Sequence, residues 1–533
     1  MLMGGLLDQA VKAYGPRPCT YFMGKRLSFA EIGDLSDRAA KGLRELGVGE
    51  GVKVGLLLPN TPASVIFYYG VLKAGGTVVN FNPLYSLEEI EFQASDSGTR
   101  IMVTLDLALT FGKVEALIKR GALDTAVVAS FTALLPALKS VGFKLTQRTK
   151  LANASASSAK SRIVLDRHLL ANDGRYERPD ITPEAIAVLQ YTGGTTGTPK
   201  GAMLTHANLS TNVGQVSAWQ NRQGTENDRI VGILPLFHVF AMTTVMNFSI
   251  NNGIEMILLP KFELIETLKL IGKLRPTLLP GVPTLFNAIL RHPHIANFDL
   301  SSLQYCMSGG AALPLEVKRA FEALCSCTVV EGYGLSETSP VVTCNPVDNR
   351  KEGSIGLPLP GTEISIRSLE NPATEMKQGE PGEICIAGPQ VMTGYWQKPQ
   401  DTEGSFVGRF FRTGDVGYMD EDGFIFIVDR IKDMINASGF KVYPRRIEDA
   451  LYEHGAVAEV IVVGIPDEYR GEAPKAFVRL KEGKEATAGE LLHFLRDKLS
   501  KIELPAEIEF RDELPKTIVG KLSKKELRAE AKR

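Results

Sequence analysis

The sequence predicts an α/β fold: a large N-terminal domain of α/β layers with a β-rich subdomain, plus a small mobile α+β C-terminal domain. Three observations predict it. Residues 1–130 and 183–345 alternate strand-like apolar runs with stretches of helical periodicity. From residue 346 to 429 the pattern shifts to short strands broken by glycine and proline, as in GSIGLPLPGTEISI and GEICIAGPQVMTGYW. After Arg430 the character changes again, to a compact unit of helices and strands. A chain of 533 residues is longer than one hydrophobic core usually serves. The expected boundaries are 1–429 for the large domain, 430–432 for a hinge and 433–533 for the small domain.

The elements follow in order. LSFAEIGDLSDRAAKGLRELGV has a helical apolar period with Ser28 as its N-cap. KVGLLLPN and GTVVNFNP read as short buried strands ended by turn residues. TPASVIFYYGVLKAG, between them, reads as a helix opened by Pro62 and closed by glycine. Residues 131–165 differ. Phe131, Leu134, Leu135, Leu138 and Val141 are expected to share one helical face. Lys139, Lys144, Arg148, Lys150, Lys160 and Arg162 accompany them, and no acidic residue lies between Asp124 and Asp166. ANASASSAK is small and polar and reads as a mobile loop. Two readings of this stretch stand: a surface helix with an insertion-tolerant loop, or a patch drawn to anionic membrane. Beyond residue 440, YPRRIEDALYEHGAVAEVIVVGI reads as helix then strand, KAFVRL as a strand and TAGELLHFLRDKLS as a helix, before a lysine-rich tail.

Composition narrows the function class. At 44% hydrophobic and 23% charged the chain is an ordinary globular one. Its formal charge of -1 leaves no global attraction to nucleic acid, which is not expected as a partner. Six cysteines are too few for a disulfide framework, and Cys325 and Cys327 form a lone C-x-C. All six are expected to be reduced, in a cytoplasmic protein. His292 and His294 in RHPH read as a polar loop ahead of a metal site. The N-terminus lacks a basic region followed by a long apolar run, so no signal peptide is expected. No apolar run reaches the ~20 residues of a membrane-spanning helix.

Four stretches carry chemistry. TGGTTGTPKG, from Thr192, fails the Walker pattern yet has the composition of a phosphate loop. Gly193, Gly194 and Gly197 let backbone N–H groups approach an anion, Thr195, Thr196 and Thr198 add hydroxyls, and Lys200 adds charge. EGYGLSETSP sets Tyr333 between Gly332 and Gly334, followed by Glu337 and Thr338; a ring there can stack on a base and a carboxylate can hold Mg²⁺. FRTGDVGYMDEDGF places Asp415 after Gly414, either to accept ribose hydroxyls or to make an Asx-turn. LPKTIVGKLSKKELR places Lys521 after a glycine near the end of the chain, where most lysines are solvated.

In this order these stretches resemble the acyl-adenylate-forming superfamily of acyl-CoA synthetases, adenylation domains and luciferases, over nearly the whole chain. YTGGTTGTPKGAMLTH is the most specific signature, and VDRIKDMI adds to it. VVNFNPLY, GPQVMTGYW, EGYGLSET and EFRDELPK resemble the bacterial long-chain fatty-acid–CoA ligases within that superfamily. Two departures stand out: Phe410 where tryptophan is common before RTGD, and GKLSKKELR where GKILRRELR is usual. They leave substrate range and tail function open.

The resemblance implies an ATP-dependent ligase that joins a fatty acid to coenzyme A through acyl-AMP, with Mg²⁺. Lys200 and the 193–201 loop would hold pyrophosphate. Tyr333 would lie on adenine, with Gly309 and Gly310 at its edge or other face. Asp415 would bind ribose with help from Arg430, Glu337 would hold Mg²⁺, and Thr338 would bond the α-phosphate. Lys521 would reach the carboxylate and α-phosphate, and His238 in LPLFHVFAM would lie by the acyl carboxylate. Rotation of the small domain about Lys432 would withdraw Lys521 and bring Gly439 to a narrow pantetheine passage, with Lys441 and Lys475 toward CoA phosphates. FAMTTVMNFSI and GVPTLFNAIL could wall an acyl tunnel or simply be core. A homodimer and peripheral contact with anionic membrane are further implications. The alternatives are a medium-chain or aryl acid–CoA ligase, an acyl-AMP ligase loading a carrier protein, and a non-catalytic nucleotide-binding regulator.

Overall fold

The computed structural model describes residues 1–192, 198–220, 225–438, 440–517 and 520–531. Two large sheets organise the N-terminal part. One has seven strands, with Lys53–Leu57 near its centre between Ile101–Leu105 and Thr77–Asn80. It is parallel except at one edge, where Lys200–Thr205 runs antiparallel to Ile186–Thr192. The other has nine strands, whose parallel centre includes Arg229–Gly232, Leu278–Gly281, Tyr305–Gly309 and Thr328–Gly334.

Local chemistry sets the elements. Ser28 caps helix Phe29–Glu45 through a capping box: its hydroxyl accepts from the Glu31 N–H, and the Glu31 carboxylate accepts from the Ser28 N–H. Helix Pro62–Lys73 is apolar all round, and every residue in it is buried. The single charge it carries inward, the Lys73 ammonium, is matched by Asp8 at 2.9 Å and Asp37 at 2.8 Å.

A separate five-stranded sheet spans Glu363–Arg367 to Ile425–Arg430. A 3₁₀ turn, Ile431–Asp433, leads from it into the sheet of the small C-terminal unit, whose first strand is Ile435–Ala437. The long hairpin Val457–Asp467 with Gly471–Leu480 and the helices Pro444–Tyr452 and Ala488–Arg496 build that unit's own core.

The 131–165 stretch departs from expectation. Phe131 to Leu134 form a 3₁₀ turn and Pro136 starts a new helix, Ala137–Thr146, so the five apolar residues do not share a face. Phe131 and Leu135 are buried, whereas Leu138 and Val141 face solvent. ANASASSAK is also packed rather than free. Ala154 is buried, the Ser157 hydroxyl donates to Glu115, and the Ala152 N–H donates to the Asp106 carbonyl at 2.8 Å. The six cysteines are free thiols. Among the described residues no helix is long and apolar enough to cross a membrane.

Candidate active site

The two large sheets, the smaller sheet and the C-terminal unit meet around a cavity of about 840 Å³. Strand Ile186–Thr192 delivers Thr192 to its wall, and the antiparallel strand Lys200–Thr205 returns with Lys200. Between them Gly193, Gly194, Thr195, Thr196 and Gly197 lie outside the described residues; Thr198 is exposed. The segment around Tyr395 docks on the returning strand: the Met203 N–H donates to the Gly394 carbonyl at 2.9 Å and the Trp396 N–H to the Gly201 carbonyl at 2.8 Å. This pairing brings the Tyr395 ring under the Lys200 ammonium, 5.4 Å from the ring centroid. The same ammonium is ion-paired with Asp401.

Strand Thr328–Gly334 runs on into the 3₁₀ turn Ser336–Thr338. Only glycine fits at 334, because a Cβ would lie 1.8 Å from the Pro340 carbonyl oxygen. Glu337 is buried in the cavity wall, and its Oε1 accepts from the Tyr395 hydroxyl at 2.8 Å. Burial pushes its carboxyl above the ordinary range, and the Tyr395 hydroxyl works against that rise.

Thr338 does not take the expected position. It is fully buried, its hydroxyl lies 2.6 Å from the Pro340 carbonyl, and its oxygen accepts from the Leu335 N–H at 3.0 Å. The hydroxyl therefore closes the turn and is not on the cavity wall. The wall hydroxyl beside Glu337 is Ser336, which sequence reasoning passed over. Tyr395 and Asp401 were passed over as well. Tyr395 sits in the GPQVMTGYW signature, but its role depends on a backbone pairing with residues almost two hundred positions earlier.

At the other end, strand pairing places Asp415 opposite Arg430. One Asp415 oxygen accepts from the Tyr333 hydroxyl at 2.6 Å, and the other meets Arg430 Nε at 2.9 Å. Gly309 lies against the Phe240 ring, which a Cβ would approach to 2.9 Å. Gly310 has φ +81°, and a Cβ there would be 2.5 Å from Lys521 Cε. Gly310, Gly332, Tyr333, Arg430 and Lys521 line both this cavity and a second, of about 320 Å³, that opens beside Asp415 between the large and small parts.

Lys521 comes from the small C-terminal unit. The Thr284 hydroxyl donates to the Gly520 carbonyl at 2.6 Å, and Arg291 donates to the Ala458 carbonyl at 2.8 Å, which fixes the two parts in this orientation. Withdrawal from water, then the nearby Arg430 charge, lower the Lys521 ammonium to about 8, while Asp415 opposes the shift. His238 lines the cavity too. Its Nδ1 accepts from the Phe240 N–H at 3.3 Å, so the proton of the neutral ring sits on Nε2. Burial, and secondarily the Lys521 charge, hold it down to about 3.

The remaining expected residues are elsewhere. Lys432 sits in the 3₁₀ turn between the sheets. Lys441 is exposed and outside the cavity, and Gly439 beside it lies outside the described residues. Lys475 is ion-paired with Glu507 and Glu509, both at 2.8 Å, so its charge is already matched.

A cavity with Thr192 and Lys200 on one wall, a buried carboxylate, a Tyr–Asp–Arg cluster and an inserted lysine defines a nucleotide-activating enzyme. The chain belongs to the AMP-binding enzyme family: residues 7–396 match the AMP-binding enzyme domain and residues 446–521 its C-terminal domain. It is 44% identical to a long-chain-fatty-acid–CoA ligase of Bacillus subtilis (strain 168), over 98% of this chain and 93% of that protein. It is 39% identical to the enzyme of that name from Escherichia coli O157:H7, over 99% and 94%. Among solved structures, ATP-bound MatB from Rhodopseudomonas palustris superposes with a TM-score of 0.85 at 27% identity, over 99% of this chain and 98% of that one. The anthranilate–CoA ligase AuaEII in complex with anthranoyl-AMP does so with a TM-score of 0.87 at 25% identity, over 100% and 97%.

Proposed function

We propose that this chain activates long-chain fatty acids. The protein is an ATP-dependent, AMP-forming fatty-acid–CoA ligase that uses ATP, Mg²⁺ and coenzyme A. The observation that carries the mechanistic reading is the insertion of Lys521 across Gly310 into a cavity that also contains Glu337 and Lys200.

A carboxylate is a poor acyl donor because its oxygen leaves badly. Attack on the ATP α-phosphorus makes it a good one, but it brings an anion toward a polyanion. Lys521 offsets that repulsion at the reacting end. Arg430 stays with Asp415 and holds it for the ribose, while the Tyr333 ring offers a face to the base. At the far end Lys200 exchanges Asp401 for the departing pyrophosphate. His238, neutral and with its proton on Nε2, donates a hydrogen bond toward the acyl carboxylate. Ser336 takes the α-phosphate role expected of Thr338.

The residues present fit Mg²⁺. Glu337 is a buried carboxylate with one oxygen engaged by Tyr395, and among the described residues no group of three ligating side chains forms a closed protein cage. Phosphate oxygens and water would complete such a coordination shell, as is usual for this ion. When bound, Mg²⁺ supplies positive charge to the phosphates.

Substrate length is supported by the named relatives; the apolar slot behind the cavity is only about 40 Å³ and does not hold a long acyl chain as it stands. Val216, Trp219, Phe248 and Leu279 line it, and it shares Met307 and Val341 with the main chamber. A panel of medium-chain, long-chain and aryl acids, read as AMP and pyrophosphate release, tests the reading. The highest kcat/KM is expected for long-chain acids; a preference for medium-chain or aryl acids overturns it. Thioester formation that requires a carrier protein in place of CoA overturns the acceptor. Rotation of the small part about Lys432, placement of Gly439 and Lys441 at the CoA passage, a homodimer, and contact with an anionic membrane from the cytoplasmic side complete the proposal.

A further inference from the structure

Helix Ala137–Thr146 has ten residues and none is buried. On its inner side Phe143 packs against Phe131, with ring centroids 5.0 Å apart, and Phe131 in turn packs edge-on against Phe22. Two lysines tie the region to the first hairpin: Lys139 Nζ donates to the Met23 carbonyl and Lys25 Nζ to the Ala133 carbonyl, both at 2.8 Å. The helix is thus held firmly, yet it turns a second apolar row outward. Leu138, Val141 and Leu145 follow i, i+3, i+7 spacing and are 89%, 58% and 78% exposed. A mobile or unfinished segment does not explain this row, because the other side of the same helix is anchored.

The charges beside the row are of one sign. Lys144, Arg148 and Lys150 are exposed, and none pairs with a carboxylate among the described residues. Elsewhere on the surface, by contrast, cations such as Arg100 and Arg319 pair with Asp124 and Glu352. The nearest acids in the stretch, Asp106 and Asp166, point inward and accept from the N–H groups of Phe131 and Ser130.

We propose that this helix is a docking surface for an anionic lipid bilayer, with the Leu138–Val141–Leu145 row entering the headgroup boundary and Lys144, Arg148 and Lys150 against lipid phosphates. A protein partner would need roughly 1,000 Å² of complementary surface for a stable contact. A single convex row of three side chains offers far less, whereas shallow insertion of one amphipathic helix suffices at a bilayer. The proposal deepens the fatty-acid reading, on which its purpose rests, by naming where a membrane-dissolved acid would meet the enzyme.

The test uses the full chain and vesicles, without turnover. Wild-type protein is sedimented with phosphatidylcholine vesicles and with vesicles containing phosphatidylglycerol, at low and high salt. Binding is expected only with the anionic vesicles and falls as salt rises, because each basic residue near an anionic surface strengthens partitioning roughly fivefold. A Leu138→Ser/Val141→Ser/Leu145→Ser variant loses roughly tenfold or more in partitioning. A Lys144→Gln/Arg148→Gln/Lys150→Gln variant loses the preference for anionic lipid. Both retain wild-type rates with a soluble medium-chain acid in the absence of vesicles, so failure of docking and failure of the ligase reading are separable. Equal binding to neutral and anionic vesicles, or a row variant that sediments like wild type, overturns the proposal. A dimer in sedimentation velocity that the row variant dissolves, with no vesicle binding by wild type, assigns the row to a contact between copies and overturns it too.

Discussion

The cavity's two lysines, Lys200 and Lys521, are held in opposite ways. Lys200 stands on a strand of the large domain, its charge already matched by Asp401 and supported by the Tyr395 ring. Lys521 arrives from the small C-terminal unit, lies across Gly310, and has no carboxylate within ion-pair reach among the described residues; its nearest charged influence after burial is another cation, Arg430. An ammonium that is desolvated and unpaired gains most when an anion arrives. One that is already paired must first give up its partner. Under the proposed mechanism, this difference suits Lys521 to the step in which negative charge converges, and Lys200 to an exchange as pyrophosphate leaves.

The sharpest way to break this contrast without touching either lysine is Gly310→Ala. The added Cβ falls within 2.5 Å of Lys521 Cε and 2.7 Å of its Nζ, on a backbone with φ +81°. The lysine tip must move, and a misplacement of that size costs roughly 100-fold in rate. ATP–pyrophosphate exchange should fall by that order while thioester formation from supplied acyl-AMP holds. Next in size is Lys200→Ala. Loss of a charge-assisted contact to phosphate costs ~1–3 kcal/mol, read as a raised KM for ATP and slower adenylation. Unchanged ATP kinetics would remove Lys200 from the phosphate site.

The pH profile probes the unpaired lysine itself. Its pKa is lowered from 10.5 to about 8, so the ammonium is present below that value and lost as pH rises through it. Adenylation kcat/KM of the free enzyme should decline above about pH 8. Lys521→Arg, which stays charged, should retain a measurable rate and move that limb to higher pH. An unmoved limb assigns the titration to another group. The smallest effect is expected at Asp401→Asn. The pair is partly exposed and screened, so releasing Lys200 from it should lower the KM for ATP by no more than a few-fold, under ~1 kcal/mol.

Much of this was legible in the sequence, for physical reasons that can be named. The Ser28 cap, the all-apolar helix Pro62–Lys73 and the strand Lys53–Leu57 follow from local pattern. The stretches around Lys200, Tyr333, Asp415 and Lys521 are far apart in the chain, yet their residue types already suit phosphate, base and ribose. What escaped depended on three-dimensional detail. Whether Ser336 or Thr338 faces the cavity is decided by a single 3₁₀ turn, in which the Thr338 hydroxyl closes onto Pro340. Tyr395 and Asp401 reach Lys200 only through strand pairing across the large domain. The outward row on Ala137–Thr146 was obscured because Pro136 splits what reads as one helical face.

Under the proposed mechanism Lys521 occupies the cavity for one half-reaction only. The direct measurement assays both halves separately in Lys521→Ala, with Gly439→Leu as its counterpart and circular dichroism to confirm folding. ATP–pyrophosphate exchange reports adenylation, and CoA-dependent consumption of supplied acyl-AMP reports thioester formation. Lys521→Ala should lose exchange by roughly 100-fold or more while still consuming acyl-AMP. Gly439→Leu should keep exchange and lose the second step. Equal loss of both half-reactions in either folded variant would rule out a Lys521 that serves adenylation alone.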